Sequence, residues 1–279
     1  MRFWLGLLVV SSFASAQRSS GPAQGTLILD GGGTTELVLK RFVALAGGPE
    51  SRIVVVPTGA SAIQVGSEKA VLELYWPRER PEWAAYLADI KKLLGVSDVT
   101  ILHTRDRSEA GSEDFVKPLQ RATGVLLWAG NAGRLADAYL STRTHRELEA
   151  LLARGGVIYG TSAGAIIQGS FIVRGRSDKP LLMAPGRDRG FGFVKNAAIN
   201  PHLTQAKRDN ELINVVDAHP EILGIGIDED AALLVKGNRF EVIGTGRAAI
   251  YDNVLHGGGW YYWLKSGDRF DLATWAVIR

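Results

Sequence analysis

Short apolar runs alternate with stretches of helical spacing over the first two-thirds of the chain. Residues 26–29 (T-L-I-L) form one such run, stopped by Asp30-Gly31-Gly32-Gly33, and residues 36–46 then place Leu37, Phe42 and Leu45 at helical intervals. The order predicted is strand, glycine turn, helix. The pattern recurs: residues 53–56 are a β-branched run halted by Pro57, residues 83–94 are amphipathic, and residues 99–102 make a further strand. Residues 125–128, a helical stretch over 134–152 broken near Ser141, and residues 157–159 follow. Runs that are apolar at every position, not at alternate ones, belong to a sheet covered on both faces. Alternating with helices, they predict a parallel, doubly covered α/β sheet.

The last third changes character. Residues 225–228, 231–235, 240–243 and 248–251 are short strands separated by turn signals, of which Gly237-Asn238 is the clearest hairpin. They predict antiparallel strands added to one edge of the same sheet. No internal repeat or low-complexity tract interrupts residues 25–279, which read as one domain.

The N-terminus reads differently. Arg2, an apolar run over residues 3–10 and the small residues Ala14-Ser15-Ala16 have the layout of a secretory signal with cleavage after Ala16. The run is shorter than the roughly 20 residues that span a bilayer, so a permanent anchor is not expected. A polar segment, residues 17–24, separates this signal from the domain. The expectation is an exported protein, periplasmic or extracellular.

Composition narrows the chemistry. The chain has 279 residues and no cysteine, so a thiolate nucleophile, a disulfide framework and cysteine-held metal clusters are excluded. Lys and Arg number 32 against 29 Asp and Glu, a net charge of +3, too balanced for an electrostatic footprint on nucleic acid or an anionic membrane. The five histidines are scattered singly, without metal-ligand spacing. No cofactor is called for: Gly31-Gly32-Gly33 lacks the third glycine of a dinucleotide fingerprint, position 36 being Glu.

The strongest chemical signal is Gly160-Thr161-Ser162-Ala163-Gly164, after an apolar strand and before the helix-compatible residues 165–168. In G-x-S-x-G a sharp strand-to-helix turn projects a serine Oγ from the sheet's carboxyl end, and flanking glycines keep side chains off that backbone. The following helix aims its first amides at the site, so the Ala163 N–H is a candidate oxyanion donor. A hydroxyl needs a base. His202, ending an apolar segment next to a new helix, is a candidate for it, with a role as an ordinary helix-start residue equally open. If the acid lies between nucleophile and base in the chain, the choice is Asp178 or Asp188, and Asp178 is preferred. The Gly130-Asn131 turn, which opens the helix after residues 125–128, is a candidate source of the second oxyanion N–H. Arg208 is a candidate grip on a substrate carboxylate, and Asn131 a further substrate contact.

Taken in order, T-L-I-L-D-G-G-G (26–33), I-V-V-V-P-T (53–58), Gly130-Asn131, G-T-S-A-G-A (160–165), the His202 segment and G-I-G-I-D-E-D (224–230) resemble the cyanophycinase and dipeptidase E family of serine peptidases. The resemblance implies a flavodoxin-like or class I amidotransferase-like three-layer sandwich. It also implies Ser162 as nucleophile, His202 as base and an oxyanion hole from Gly130 and Ala163, acting on Asp-containing dipeptides or β-aspartyl linkages. Ala132 stands where cyanophycinases carry glutamine, and Asn200-Pro201 where they carry Asp-Gln, so cyanophycin itself is not implied. The expected partner is a peptide or isopeptide substrate, with a homodimer left open. Two other readings compete. A general α/β-hydrolase esterase normally inserts more chain between serine and histidine than the interval from Ser162 to His202 allows. A binding protein on the same fold, without the chemistry, is compatible with Ala132 and Pro201.

Overall fold

A computed structural model describes residues 19–33, 35–65, 70–74 and 81–279. The expected signal, residues 1–16, lies outside the described residues. In chain order the elements are β1 (Thr26–Asp30), α1 (Glu36–Ala46), β2 (Arg52–Val56), β3 (Ala62–Val65), β4 (Ala70–Glu73), α2 (Pro81–Leu94) and β5 (Asp98–Ile101). Then come α3 (Arg107–Ala110), α4 (Glu113–Arg121), β6 (Gly124–Leu127), α5 (Ala132–Tyr139), α6 (Arg143–Ala153), β7 (Val157–Thr161), α7 (Ala163–Ile166), β8 (Gly169–Phe171) and β9 (Val194–Pro201). The last part comprises α8 (Glu211–Ala218), β10 (Leu223–Ile227), β11 (Ala231–Lys236), β12 (Arg239–Gly244), β13 (Ala248–Tyr251), β14 (Tyr262–Leu264), β15 (Arg269–Asp271) and β16 (Ala276–Ile278).

The central sheet has nine strands in the order β16-β15-β12-β11-β1-β7-β6-β2-β5. Pairing is parallel from β1 through β7, β6 and β2 to β5, and antiparallel from β1 outward through β11. The continuous apolar runs are explained by two cores. Leu27, Leu29, Val54, Val56, Val125, Leu127 and Ile158 point to one face, while Ile28, Ile53, Val55, Leu126, Val157 and Tyr159 point to the other. Period-2 strands buried on both sides have no position left for a polar residue. Phe42 of α1 and Tyr86 and Ile90 of α2 cover the second face; α4 to α7 and a further sheet cover the first. The arrangement is a mixed α/β three-layer fold of the class I amidotransferase type.

The expectation that every late strand joins one sheet needs correcting. β11, β12, β15 and β16 do extend the central sheet, but β10 and β13 belong to a five-stranded sheet ordered β14-β13-β10-β9-β8. Short strands show their pairing potential in sequence and not their partner, because partner choice is made by tertiary packing. The polar segment before β1 is also docked: Ser19 is buried, its Oγ donating to Asn196 O (2.9 Å) and accepting from Trp275 Nε1 (2.9 Å). The break expected near Ser141 separates α5 from α6, with Ser141 at φ 61°. No helix of the described residues is long and apolar enough to cross a membrane.

Candidate active site

Ser162 follows β7 with φ 53° and ψ −112°, a backbone conformation that costs a residue bearing a Cβ on the order of 1–3 kcal/mol. The turn is held from both sides. The Ser162 N–H donates to Asp30 O of the neighbouring β1 (3.0 Å), and its carbonyl accepts from Ala165 N (2.9 Å) and Ile166 N (3.1 Å) to start α7. The flanking glycines answer to close approach: a Cβ on Gly160 would lie 2.0 Å from Gly164 O, and one on Gly164 would lie 2.0 Å from Leu127 O. Those contacts seat α7 directly on the ends of β6 and β7, with Ser162 half-buried between strand and helix.

β9 delivers the histidine from the other sheet. His202 has φ 54°, and its N–H donates to Gly31 O (2.9 Å). Its Nε2 lies 2.8 Å from Ser162 Oγ and its Nδ1 lies 2.7 Å from Glu229 Oε1. With the Nδ1–H donated to the carboxylate, Nε2 presents its lone pair to the serine hydroxyl. The His202 and Glu229 side chains are 28% and 37% exposed, so the relay is reachable by a substrate yet partly screened from water.

Glu229 was not among the expected residues. It sits where the chain leaves β10 in the five-stranded sheet and enters β11 in the nine-stranded one. Its N–H donates to Gln205 Oε1 (3.0 Å). Asp228, buried beside it, accepts from Thr204 N (3.0 Å) and Thr204 Oγ1 (2.5 Å). The turn after His202 and the turn bearing Glu229 are therefore tied in both directions. The sequence signal was the G-I-G-I-D-E-D motif itself, outside the interval in which the acid was sought.

Asp178 is corrected accordingly. Its carboxylate forms a bidentate pair with Arg176 (2.7 and 3.1 Å), which, as the main cause, holds its pKa down at about 2. It lines a cavity of about 330 Å³ with Arg105, Arg134, Asp137 and Ser177, away from the imidazole. Asp188, the other choice, gives its carbonyl to Ile172 N–H (2.7 Å). Both ring nitrogens of His202 are taken by other groups.

The Gly130-Asn131 turn divides its amides. Asn131 N–H donates to Gly59 O (2.8 Å), whereas the N–H groups of Gly130 and Ala163 donate no hydrogen bond among the described residues. Gly130 is required by contact as well as by φ 133°, since a Cβ there would lie 2.2 Å from Gly59 O. The Asn131 side chain is committed at both ends: Oδ1 caps α5 at Arg134 N (3.3 Å) and Nδ2 donates to Arg176 O (3.2 Å).

Arg208 is half-buried beside the site. Its Nη1 donates to Pro201 O (3.1 Å), next to His202. Burial, then the neighbouring Arg174 guanidinium, lowers its pKa. Arg174 in turn pairs with Glu211, which also accepts from Asn200 Nδ2 (3.1 Å).

A serine hydroxyl against an imidazole that a carboxylate orients is an arrangement suited to acyl transfer, and the N–H groups of Gly130 and Ala163 lie in the turns that follow the paired strands β6 and β7. The family model of peptidase family S51 matches residues 27–243. A cyanophycinase of Geminocystis herdmanii is 27% identical over 219 residues, covering 77% of this chain and 74% of that protein. A cyanophycinase of a Nostoc species is 28% identical over 262 residues, 86% of this chain and 82% of that protein. Among solved structures, a peptidase from an acI-B1 Actinobacterium superposes with a TM-score of 0.64 at 20% identity, covering 90% of this chain and 98% of that one.

Proposed function

Because the chain belongs to peptidase family S51 and is thereby a serine-type peptidase, we propose that it hydrolyses short peptides or isopeptides, Asp-containing or β-aspartyl ones among them, through Ser162, His202 and Glu229. The observation that carries this reading is the unbroken relay from Ser162 Oγ to His202 Nε2 (2.8 Å) and from His202 Nδ1 to Glu229 (2.7 Å).

Ser162 Oγ attacks the scissile carbonyl carbon while its proton passes to His202 Nε2. Glu229 stabilises the resulting imidazolium and keeps the ring in the tautomer the attack needs. Negative charge on the tetrahedral oxygen is met by the N–H groups of Gly130 and Ala163. The C–N bond then breaks as His202 returns the proton to the departing amine, leaving an ester on Ser162. Water, deprotonated by His202, attacks that ester; the acid product leaves and the serine is restored. Arg208 supplies a planar pair of donors for a substrate carboxylate.

Release of free amino acids from a panel of α-aspartyl, β-aspartyl and neutral dipeptides tests this. Activity that disappears in Ser162→Ala supports it and ranks the linkages; release equal in the two proteins contradicts it. We further propose that residues 1–16 direct export. A mature protein beginning at Gln17, found outside the cytoplasm by N-terminal sequencing, is the expected result.

A further inference from the structure

Asp30 lies at the end of β1 and is 1% exposed, although it is a carboxylate in the middle of a nine-stranded sheet. Its Oδ2 accepts from Tyr159 Oη (2.5 Å) and its Oδ1 accepts from Gly32 N (2.7 Å). The second bond closes a tight turn over Asp30-Gly31-Gly32, in which the side chain substitutes for a backbone acceptor two residues away. A buried carboxyl group that served only packing would be a poor choice against an apolar residue of the same volume.

The turn it closes touches every part of the relay. Asp30 O accepts the Ser162 N–H (3.0 Å), Gly31 O accepts the His202 N–H (2.9 Å), and Gly32 O accepts the Asp230 N–H (3.0 Å) next to Glu229. Gly31 N–H, in turn, donates to Ala231 O (3.0 Å). Gly32, at φ 110°, lies against the imidazole so closely that a Cβ would be 2.2 Å from His202 Cε1. Three consecutive residues thus fix the backbone of the nucleophile, of the base and of the crossing that bears the acid.

We propose that Asp30 is a positioning residue for hydrolysis, acting through the Gly32 turn to hold Ser162, His202 and Glu229 in mutual register. This rests on the serine-peptidase reading above. The essential property is an acceptor at Oδ1 for Gly32 N–H. Asparagine supplies that acceptor and alanine does not, which separates turn geometry from negative charge.

The test uses the full chain and a biotinylated fluorophosphonate, which joins phosphorus to an activated serine oxygen with loss of fluoride and needs no knowledge of the peptide substrate. Second-order labelling rates are measured per folded molecule, below each variant's unfolding midpoint, for the wild type and for Ser162→Ala, Asp30→Ala, Asp30→Asn and Gly32→Ala. Misplacement of reacting groups on the order of 1 Å costs about 100-fold, so Asp30→Ala is expected to label about 100-fold more slowly and Asp30→Asn to restore most of that loss. Labelling of Asp30→Ala at the wild-type rate overturns the inference, as does an Asp30→Asn rate no better than that of alanine. Should Asp30→Ala not fold, Gly32→Ala decides: it leaves the carboxylate in place and drives a methyl into the ring, and undiminished labelling there overturns the inference. A wild type that labels no faster than Ser162→Ala overturns the serine reading, and the inference with it.

Discussion

Ser162 and His202, which follow β7 and β9, share one backbone device: both have a positive φ, at 53° and 54°, and both donate their N–H to the Asp30-Gly31 segment, at 3.0 and 2.9 Å. Two strands from different sheets are stopped against adjacent carbonyls, one each. The 2.8 Å between Oγ and Nε2 follows from that shared stop.

The acid is the first point to test. Replacing Glu229 by Gln keeps the side-chain shape but lets the amide donate to His202 Nδ1, favouring the wrong tautomer. A loss of about 10²- to 10⁴-fold in kcat is expected, with KM little changed. Asp178→Ala, which removes an exposed pair with Arg176, should stay within about 3-fold of the wild type. Steady-state kinetics on whichever dipeptide of the panel is cleaved compares the two, and the reverse ranking would reinstate Asp178.

Gly130→Ala should fail at a different step. The new methyl meets Gly59 O at 2.2 Å in a backbone of φ 133°, so the turn must move and carry its N–H with it. Loss of one oxyanion donor lowers kcat by about 10²- to 10³-fold. The oxyanion role of this turn predicts that reduction in acyl-enzyme formation, measured by stopped flow, with a KM close to that of the wild type.

Arg208→Met tests recognition. The stem is kept and the guanidinium lost, so peptides with a free carboxylate at the contacted end should show a KM raised by about 10-fold or more, in line with a charged hydrogen bond worth ~1.5–3 kcal/mol. The same peptides amidated at that carboxylate should no longer distinguish the variant from the wild type. Equal penalties on both series would remove Arg208 from the binding role.

Stability on the acid side has an identifiable contributor. His145 packs on Phe191 and Phe193, with ring centroids 4.8 and 5.8 Å away, and its Nε2 lies 3.0 Å from Phe191 O. Burial lowers its pKa below the ordinary 6.5, outweighing the Glu149 carboxylate that pulls the other way. The unfolded chain therefore takes up this proton at higher pH than the folded one. The neutral-histidine contribution is whole above the unfolded pKa and is lost as pH falls through the folded value. Between pH 7 and pH 5 the melting temperature of the wild type should fall more steeply than that of His145→Gln; parallel slopes would assign the acid sensitivity elsewhere.

How much of this was legible in sequence follows the range of the forces involved. The G-x-S-x-G elbow is a local device, and Gly160 and Gly164 mark contacts made within a few residues of Ser162 or on the adjacent β6, so strand, turn and helix could be read directly. The strands over residues 27–29, 53–56 and 125–128 announce burial on two faces by having no polar position. Glu229 could not be read that way. Its place beside His202 depends on β10 and β11 lying in different sheets, a fact that neither period 2 nor the Gly237-Asn238 hairpin encodes. Asp178 was attractive for its position along the chain, but its nearest partner in space is Arg176, two residues away. Asn131 caps α5 through its side chain, as asparagine before a helix commonly does.

The passage of the chain from one sheet to the other has a consequence for assembly. Serine arrives on the nine-stranded sheet, histidine on the five-stranded sheet, and the carboxylate on the strap between them. The distance from Oγ to Nε2 therefore works as a caliper laid across the seam. Mild denaturant should silence fluorophosphonate labelling while circular dichroism still reports intact strands and helices, because a slip along the seam opens the caliper without unravelling either sheet. A chain that has built both sheets but not yet closed them on each other carries every side chain of the site and cuts nothing.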